Sequence, residues 1–224
     1  QISANLQRVR ERVSKAAERS GRSSEDVLLV AVSKTWPADI VQVAVDAGAL
    51  VLGENRVQEA QQKVPEITGS PQWHLVGHLQ RNKARVAVGL FDTIQSVDSA
   101  KLAKEIGKHA VAANKEVSIQ LQVNTSGETS KSGVEPDVLE ALIADVIDID
   151  GIRVEGLMTI ATNTHNESEV RRCFQALRDL RDRVATHLPG ISELSMGMTG
   201  DFELAIEEGA TVVRVGTAIF GSRN

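Results

Sequence analysis

The sequence predicts an α/β fold: a single-domain (β/α)8 TIM barrel with an extra helix at the N-terminus. Eight short apolar runs alternate with segments of helical periodicity, and no block of consecutive strands interrupts the alternation. The runs hold branched or small apolar residues at successive positions, as in residues 28–33, which is typical of parallel strands buried on both faces. The count of eight favours a closed barrel over the structural alternative, an open doubly wound sheet.

The composition is consistent with one domain over residues 1–224. Hydrophobic residues make up 42% of the chain, but aromatic residues only 3% and tyrosine is absent, so the core must be built from Val, Leu, Ile and Ala. Single barrel domains commonly reach this length. The only cysteine, Cys173, lies on a helical apolar stripe, which predicts a core residue and excludes an intramolecular disulfide.

The charge distribution argues against several classes of partner. The formal net charge is −5, and acidic and basic residues are mixed along the chain. A surface that binds nucleic acid or lipid would instead show clustered positive charge. No apolar run approaches the length of a membrane span, and the N-terminal residues are polar and charged, unlike a secretion signal. We therefore expect a cytoplasmic protein, and a monomer because no exposed apolar stripe stands out.

The elements can be placed in chain order. Apolar residues at helical spacing from Ile2 to Ala17 predict the extra helix, which ends at Gly21. The first strand spans 28–33, and Pro37 opens the helix that follows it. Later strands are expected at 49–52, 72–76, 93–97, 117–123, 154–158, 193–196 and 211–215.

Two later helices carry start signals. Asp98 follows the fourth strand directly and is expected to cap the next helix. Asn166 and Glu169 form a capping-box-like start of the helix after the sixth strand. The longest polar connection, residues 124–133, contains Lys131 and is a candidate mobile lid.

Lys34 comes directly after the first strand, at the rim where parallel α/β folds carry their chemistry. One interpretation is a solvated side chain whose stem covers the end of the strand. The other is an amine whose pKa is lowered by desolvation, so that it can attack a carbonyl group and form a Schiff base. Polar residues and glycines also cluster at the other strand ends, although turn chemistry alone enriches them there.

The last two strand ends are the most specific. Residues 195–201 follow the seventh strand and residues 214–217 close the eighth, and both stretches combine glycines with hydroxyl side chains. Phosphate sites in these barrels are built from the loops after strands seven and eight. The alternative is two ordinary turns in which Ser195 or Thr199 caps a helix. Arg214 interrupts an apolar strand, so it requires a carboxylate or a polar ligand.

The remaining titratable residues give no catalytic pattern. None of the five histidines has metal-ligand spacing, so no metal site is predicted. His78 lies near the rim and is expected to be solvated. Glu54 and Asp201 are rim carboxylates without an evident partner or a general acid/base separation.

Together these stretches resemble the pyridoxal-phosphate homeostasis protein family, the single-domain relatives of alanine racemase with the type III pyridoxal-phosphate fold. The match covers nearly the whole chain in the same order. The motifs that carry it include residues 32–35, 53–55 with 58–59, 74–83, 131–133, 156–158, 195–198 and 214–221. Trp36 stands where the family often has lysine, and Thr199 where it often has serine.

The resemblance implies that Lys34 forms a Schiff base with pyridoxal 5'-phosphate (PLP) and that Arg214 faces the pyridine nitrogen. A permanently protonated arginine there would leave that nitrogen unprotonated and mute strong carbanion chemistry. The cofactor-binding residues implied are Lys34, Asn55, Met158, Ser195, Gly197, Met198, Thr199, Arg214, Gly216 and Thr217. Of these, Asn55 is expected beside the ring. The residues of the loops after the seventh and eighth strands are expected around the phosphate.

The resemblance also implies a role as a carrier or buffer of PLP in vitamin B6 and amino-acid or keto-acid homeostasis, rather than an enzyme. Its partners would be PLP and apo-enzymes that require it. One alternative is a PLP-dependent amino-acid racemase, but alanine racemase pairs its lysine with a tyrosine, and this chain has none. Another is a Schiff-base aldolase of a phosphorylated substrate, which would be colourless. A further alternative, nucleic-acid binding through Arg81, Lys83 and Arg85, rests only on a short basic run of the kind that solvated helix faces also show, and is disfavoured.

Overall fold

Eight parallel strands close into a barrel in chain order in the computed structural model, which describes residues 1–128 and 131–222. The last strand pairs with the first, with Arg214 opposite Val30. The predicted closed barrel is therefore confirmed, and the open sheet is excluded. The strands are Leu28–Val32 (β1), Val51–Glu54 (β2), Gln72–Leu75 (β3), Thr93–Val97 (β4), Val117–Gln122 (β5), Ile152–Met158 (β6), Glu193–Ser195 (β7) and Val212–Val215 (β8).

Helices surround the barrel, and all but the first and the last of them connect successive strands. Within the described residues they are Ile2–Arg19 (α1), Ala38–Asp46 (α2), Val57–Lys63 (α3), Ala84–Leu90 (α4), Ala100–Ala112 (α5), Leu139–Val146 (α6), Glu167–Ala185 (α7), Phe202–Glu207 (α8) and Thr217–Phe220 (α9). The predicted extra helix is α1, which packs against α8 and α9. Arg12 of α1 pairs with Glu203 of α8 at 2.8 Å, and the Asn5 amide donates to the Ile219 carbonyl at 2.9 Å.

The main hydrophobic core lies between the strands and the surrounding helices. Aliphatic residues dominate it, as the composition predicts, and Phe91, Phe174 and Phe202 are its largest fully buried side chains. Cys173 is buried in this layer, in agreement with its position on the helical stripe. Each fully buried Leu or Phe side chain contributes roughly 1.5–3 kcal/mol through removal of apolar surface from water, so this layer holds the barrel closed.

The interior of the barrel contains a second, smaller apolar cluster, formed by Val30, Val32, Val51 and Val212. Side chains alternate between the two faces of a strand, so residues two positions further on point to the same side. Continuing from Val32 leads to Lys34, and continuing from Val212 leads to Arg214. The strand register therefore directs both residues toward the interior and its carboxyl-terminal mouth.

Seven of the eight predicted strands differ from the structure by one or two residues at one or both ends, and only 93–97 matches at both ends. The second strand begins at Val51 rather than at residue 49, because Gly48 adopts a positive φ of 90° and Leu50 lies in the connecting turn with 76% exposure. Helix α5 is capped by Ser99, whose hydroxyl accepts from the Leu102 N–H at 3.4 Å, so the prediction of Asp98 as the cap is wrong.

The start of α7 is confirmed. Asn166 is the N-cap of that helix: its side-chain oxygen accepts from the Ser168 N–H at 3.1 Å, and its amide donates to Glu169 at 2.9 Å. Across the described parts of the chain, every helix is too short or too polar to span a lipid bilayer.

Candidate functional site

A cavity of about 270 Å³ lies at the carboxyl ends of β1, β2, β7 and β8. Its volume is close to the lower end of the range of roughly 300–1,000 Å³ for small-molecule sites. Seven of the ten residues expected to bind a cofactor line it: Lys34, Asn55, Met198, Thr199, Arg214, Gly216 and Thr217. The other three, Met158, Ser195 and Gly197, are buried and do not line the cavity.

Lys34 is half-buried and lines the cavity beside Val32. Its ammonium group makes no hydrogen bond or ion pair with any residue that the structure describes. A lysine nitrogen without a protein partner, facing a concave site, is free to react with a ligand.

The backbone immediately after Lys34 adopts an unusual conformation. Thr35 has a φ of 66°, in the left-handed region that is unfavourable for residues with a β-carbon. Its N–H donates to the Glu59 carboxylate at 2.8 Å, and the Trp36 N–H donates to the Ser33 carbonyl at 3.1 Å. The Glu59 side chain thus stabilises the turn that presents Lys34 to the cavity.

A buried ion pair fixes the residue before Lys34. The Lys63 ammonium pairs with Glu54 and also donates to the Ser33 carbonyl at 2.8 Å, while the Ser33 hydroxyl donates to Glu54 at 2.7 Å. Glu54 is fully buried and Lys63 is only 6% exposed. Burial raises the pKa of Glu54, and the bonds from Lys63 and Ser33 oppose that shift. The pair holds the end of β1 in place.

Glu59 and Lys63 are four residues apart on α3, so they share one face of that helix. This face contacts the chain on both sides of Lys34. The sequence left Glu54 without a partner, although a buried carboxylate requires a cation and Lys63 is the first lysine that follows it. The signal was therefore present, but the packing of α3 had to be known to use it.

Arg214 is buried at the side of the cavity opposite solvent, with 4% exposure. Its guanidinium donates to the Thr159 carbonyl at 2.8 Å and to the Ser195 hydroxyl. Burial lowers the pKa of Arg214 to about 10, and the charge of Asp201 opposes the shift, so the group stays protonated at neutral pH. No carboxylate among the described residues forms an ion pair with it, and its cation is available to a polar ligand.

The loops after β7 and β8 expose backbone donors to the cavity. The N–H groups of Thr199, Gly200 and Thr217 make no hydrogen bonds within the described residues, and all three residues line the cavity. Met198 differs, because its N–H donates to the Asp201 carboxylate at 2.6 Å. Unpaired N–H groups that converge with hydroxyl side chains form an anion-binding concavity, as a phosphate site requires.

Neither Ser195 nor Thr199 is the N-cap residue of a helix. The N-cap of α8 is Asp201 and that of α9 is Gly216, but the hydroxyl of Thr199 accepts weakly from the Ala218 N–H in the first turn of α9 at 3.4 Å. The loops after β7 and β8 are therefore joined to each other beside the cavity, and the phosphate site expected there stays a prediction.

Two glycines make this geometry possible. Gly197 has a φ of 95°, and a β-carbon there would lie 2.6 Å from that of Ala205. A β-carbon on Gly77 would lie 2.2 Å from the Asn55 carbonyl oxygen. Larger residues at either position would displace the loop after β7 or the residue that lines the cavity after β2.

Several cavity residues were not predicted from the sequence: Val32, Val76, Ile160, Gly200 and Gly221 line it, together with Trp36. The Trp36 ring stacks on Phe220 at a centroid distance of 6.3 Å and forms part of the wall. Ile160 could have been found, because it lies two positions beyond Met158 on the same side of the extended chain.

The remaining candidate groups lie apart from the cavity. His78 is 55% exposed and sits 3.9 Å from Asp98, and the described residues contain no cluster of metal-binding side chains. Lys131 donates to the Ala161 carbonyl at 2.9 Å and pairs with Glu128 at 2.7 Å. The lid over residues 124–133 stays a prediction, and residues 129 and 130 within it lie outside the described residues.

Comparison with known proteins identifies relatives along the whole chain. Residues 4–224 match the family described as "Alanine racemase, N-terminal domain". The chain is 42% identical to the pyridoxal phosphate homeostasis protein of Aquifex aeolicus, over 97% of this chain and 96% of the relative. It is 40% identical to the protein of the same name from Escherichia coli K12, over 100% and 97%.

Solved structures show the same relationship. PipY of Synechococcus elongatus with PLP bound is 37% identical and superposes with a TM-score of 0.85, covering 99% of this chain and 100% of PipY. Alanine racemase of Clostridium difficile shares the fold at a TM-score of 0.78 and 14% identity, with 56% of that enzyme covered. The chain therefore belongs to the pyridoxal phosphate homeostasis protein family, whose fold is that of the alanine racemase N-terminal domain.

Proposed function

We propose that this chain binds PLP in the cavity at the ends of β1 and β8 and carries or buffers it through a Schiff base on Lys34. The observation that supports this most is the meeting, in one cavity, of an unpartnered lysine, a buried arginine and free backbone N–H groups. The names of the relatives and the PLP-bound structure of PipY point to the same ligand. Residues 1–224 would then form a single PLP-binding domain.

PLP carries an aldehyde, a phosphate and a pyridine nitrogen, and the cavity holds a group suited to each. The Lys34 amine nitrogen would add to the aldehyde carbon, so that a C=N bond forms and the carbonyl oxygen leaves as water. Thr199, Gly200 and Thr217 would bind the phosphate through N–H and hydroxyl donors. Asn55 would lie beside the ring.

Arg214 would face the pyridine nitrogen of the bound cofactor. Because it stays protonated at neutral pH, it can only donate, and the nitrogen opposite would accept as a neutral pyridine. PLP supplies an electron sink to the enzymes that use it, and a neutral ring makes that sink weaker. This pairing favours holding the cofactor over carbanion chemistry. Met158, Ser195 and Gly197 would act indirectly, by supporting the residues that touch the cofactor.

We further propose that the protein has no enzymatic activity of its own and acts in vitamin B6 and amino-acid or keto-acid homeostasis. It would act as a monomer in the cytoplasm, with PLP and PLP-requiring apo-enzymes as partners. Two-base racemisation requires a base that removes the proton on one face of the substrate carbon and an acid that returns a proton on the other, and the chain has no tyrosine to supply the second group.

Replacement of Lys34 tests the binding site directly. We expect purified protein titrated with PLP to develop the visible absorbance of a protonated Schiff base. The variant Lys34→Ala should lack this band and bind PLP at least about tenfold more weakly. Lys101→Ala, which removes an exposed lysine of α5, should behave as the unsubstituted protein. A band that persists in Lys34→Ala, or disappears in Lys101→Ala, would contradict the assignment.

The absence of a racemase activity can be measured. PLP-loaded protein incubated with L-alanine should yield D-alanine no faster than an equal concentration of PLP and the Lys34→Ala variant. The comparison is made at steady state with a chiral chromatographic readout. Rapid turnover that depends on Lys34 would show that another residue supplies the second base.

The turn after Lys34 should affect binding through Glu59. Glu59→Ala leaves the Thr35 N–H without its carboxylate acceptor, a loss of about 1 kcal/mol or roughly fivefold in PLP affinity. Glu59→Gln keeps an acceptor oxygen and should retain most of the affinity. Glu66→Ala, at an exposed carboxylate on the same side of the barrel, serves as the matched control. Equal PLP affinities for Glu59→Ala and Glu66→Ala would exclude this role of Glu59.

A further inference from the structure

A chain of buried hydrogen bonds crosses the inside of the barrel from Arg214 to His74. The guanidinium of Arg214 donates to the Ser195 hydroxyl, and this hydroxyl donates to the Gln95 side-chain oxygen at 2.7 Å. The Gln95 amide nitrogen lies 2.8 Å from Nδ1 of His74. None of these four residues is more than 4% exposed. They come from β8, β7, β4 and β3, so the chain joins opposite sides of the barrel.

Only one assignment of donors and acceptors satisfies all three of these hydrogen bonds. An arginine can only donate, so the oxygen of Ser195 must accept and its hydrogen must go elsewhere. The Gln95 oxygen receives that hydrogen, which leaves the Gln95 amide to donate to Nδ1 of His74. His74 is neutral at neutral pH, since burial lowers its pKa to about 4, and it then carries its own proton on Nε2.

The opposite orientation of the Gln95 amide is unfavourable. Its NH2 group would face Ser195, whose oxygen would then receive two donors, and the Ser195 hydrogen would have no acceptor along the chain. A buried donor without an acceptor destabilises the arrangement. The orientation of Gln95 therefore determines which lone pair of Ser195 faces Arg214.

The orientation of Arg214 depends on this arrangement. Within the described residues its guanidinium donates to two groups, the Thr159 carbonyl and the Ser195 hydroxyl, and no carboxylate among them fixes it as an ion pair. One of these two contacts, the hydrogen bond to the Ser195 hydroxyl, therefore depends on the bond between Ser195 and Gln95.

We infer that Gln95 is a positioning residue for the cofactor, acting through Ser195 to orient Arg214 at the floor of the cavity. This inference rests on the proposed binding of PLP. Gln95 lies outside the cavity lining and touches no ligand atom there. Its effect would reach the cofactor only through the direction of the Arg214 N–H groups toward the pyridine nitrogen.

The barrel offers a matched control in Gln120. This glutamine is also fully buried and lies on the neighbouring strand β5, but its amide donates to Glu193 at 2.6 Å and takes no part in the chain to Arg214. Gln95→Met and Gln120→Met remove the same amide from the same interior. Both should lower thermal stability, and only the first should alter the cofactor site.

The test measures the PLP dissociation constant and the absorbance spectrum of bound PLP between pH 6 and 9. We expect Gln95→Met to weaken PLP binding by roughly five- to tenfold and to shift the absorbance maximum or its pH midpoint. Ser195→Ala should give the same spectral change, and the double variant should show no further loss, because both act on one contact. Gln120→Met should keep the dissociation constant within about twofold and the original spectrum.

Wild-type affinity and spectrum in Gln95→Met, or an equal change in Gln120→Met, would overturn the inference. If Gln95→Met does not fold, Ser195→Ala decides: an unchanged spectrum in that variant also overturns it. Failure of the unsubstituted protein to bind PLP at all would instead reject the proposed function, so the two failures are distinguishable.

Discussion

The pairing of β8 with β1 is the constraint on which the site depends. It closes the barrel and sets Arg214 opposite Val30, so residues from opposite ends of the chain meet at one rim. Because side chains alternate along a strand, the register that buries Val32 and Val212 in the interior also directs Lys34 and Arg214 toward the cavity. A shift of one residue in this register would turn one of the two side chains to the other face of the sheet.

Buried charge is the second feature that defines the molecule. Arg214 is held by neutral hydrogen-bonding groups, whereas Glu54 is neutralised by Lys63 beneath the Lys34 turn. Burial of an ion without a partner is strongly unfavourable, so the different partners of Arg214 and Glu54 indicate different roles for the two ions. The ion pair near Lys34 joins Lys63 to Oε1 of Glu54 and fixes the backbone at Ser33, while Oε2 of Glu54 has no partner among the described residues. Arg214 has no carboxylate partner among the described residues and donates only to the Thr159 carbonyl and the Ser195 hydroxyl, which agrees with its proposed role toward a polar ligand.

The sequence predicts more of the barrel than of the site. Strand and helix periodicity identify all eight strands, and the position after a buried strand identifies Lys34 as a rim residue, because both follow from local alternation. The contacts of Glu54 with Lys63, and of Gln95 with Ser195, could not be predicted. They join elements whose spacing is set by the register and closure of the barrel. Ser195 illustrates the limit: its position at a strand end is correct, yet its hydroxyl is bonded inside the barrel and not exposed to the cavity.

Reductive trapping shows directly whether PLP forms its covalent bond with Lys34. Purified protein is incubated with PLP, reduced with borohydride and digested, and the modified peptides are mapped by mass spectrometry. We expect a phosphopyridoxyl adduct confined to the peptide that contains Lys34. An adduct missing from that peptide, or spread over exposed lysines such as Lys101 and Lys115, would show that the cavity serves some other ligand.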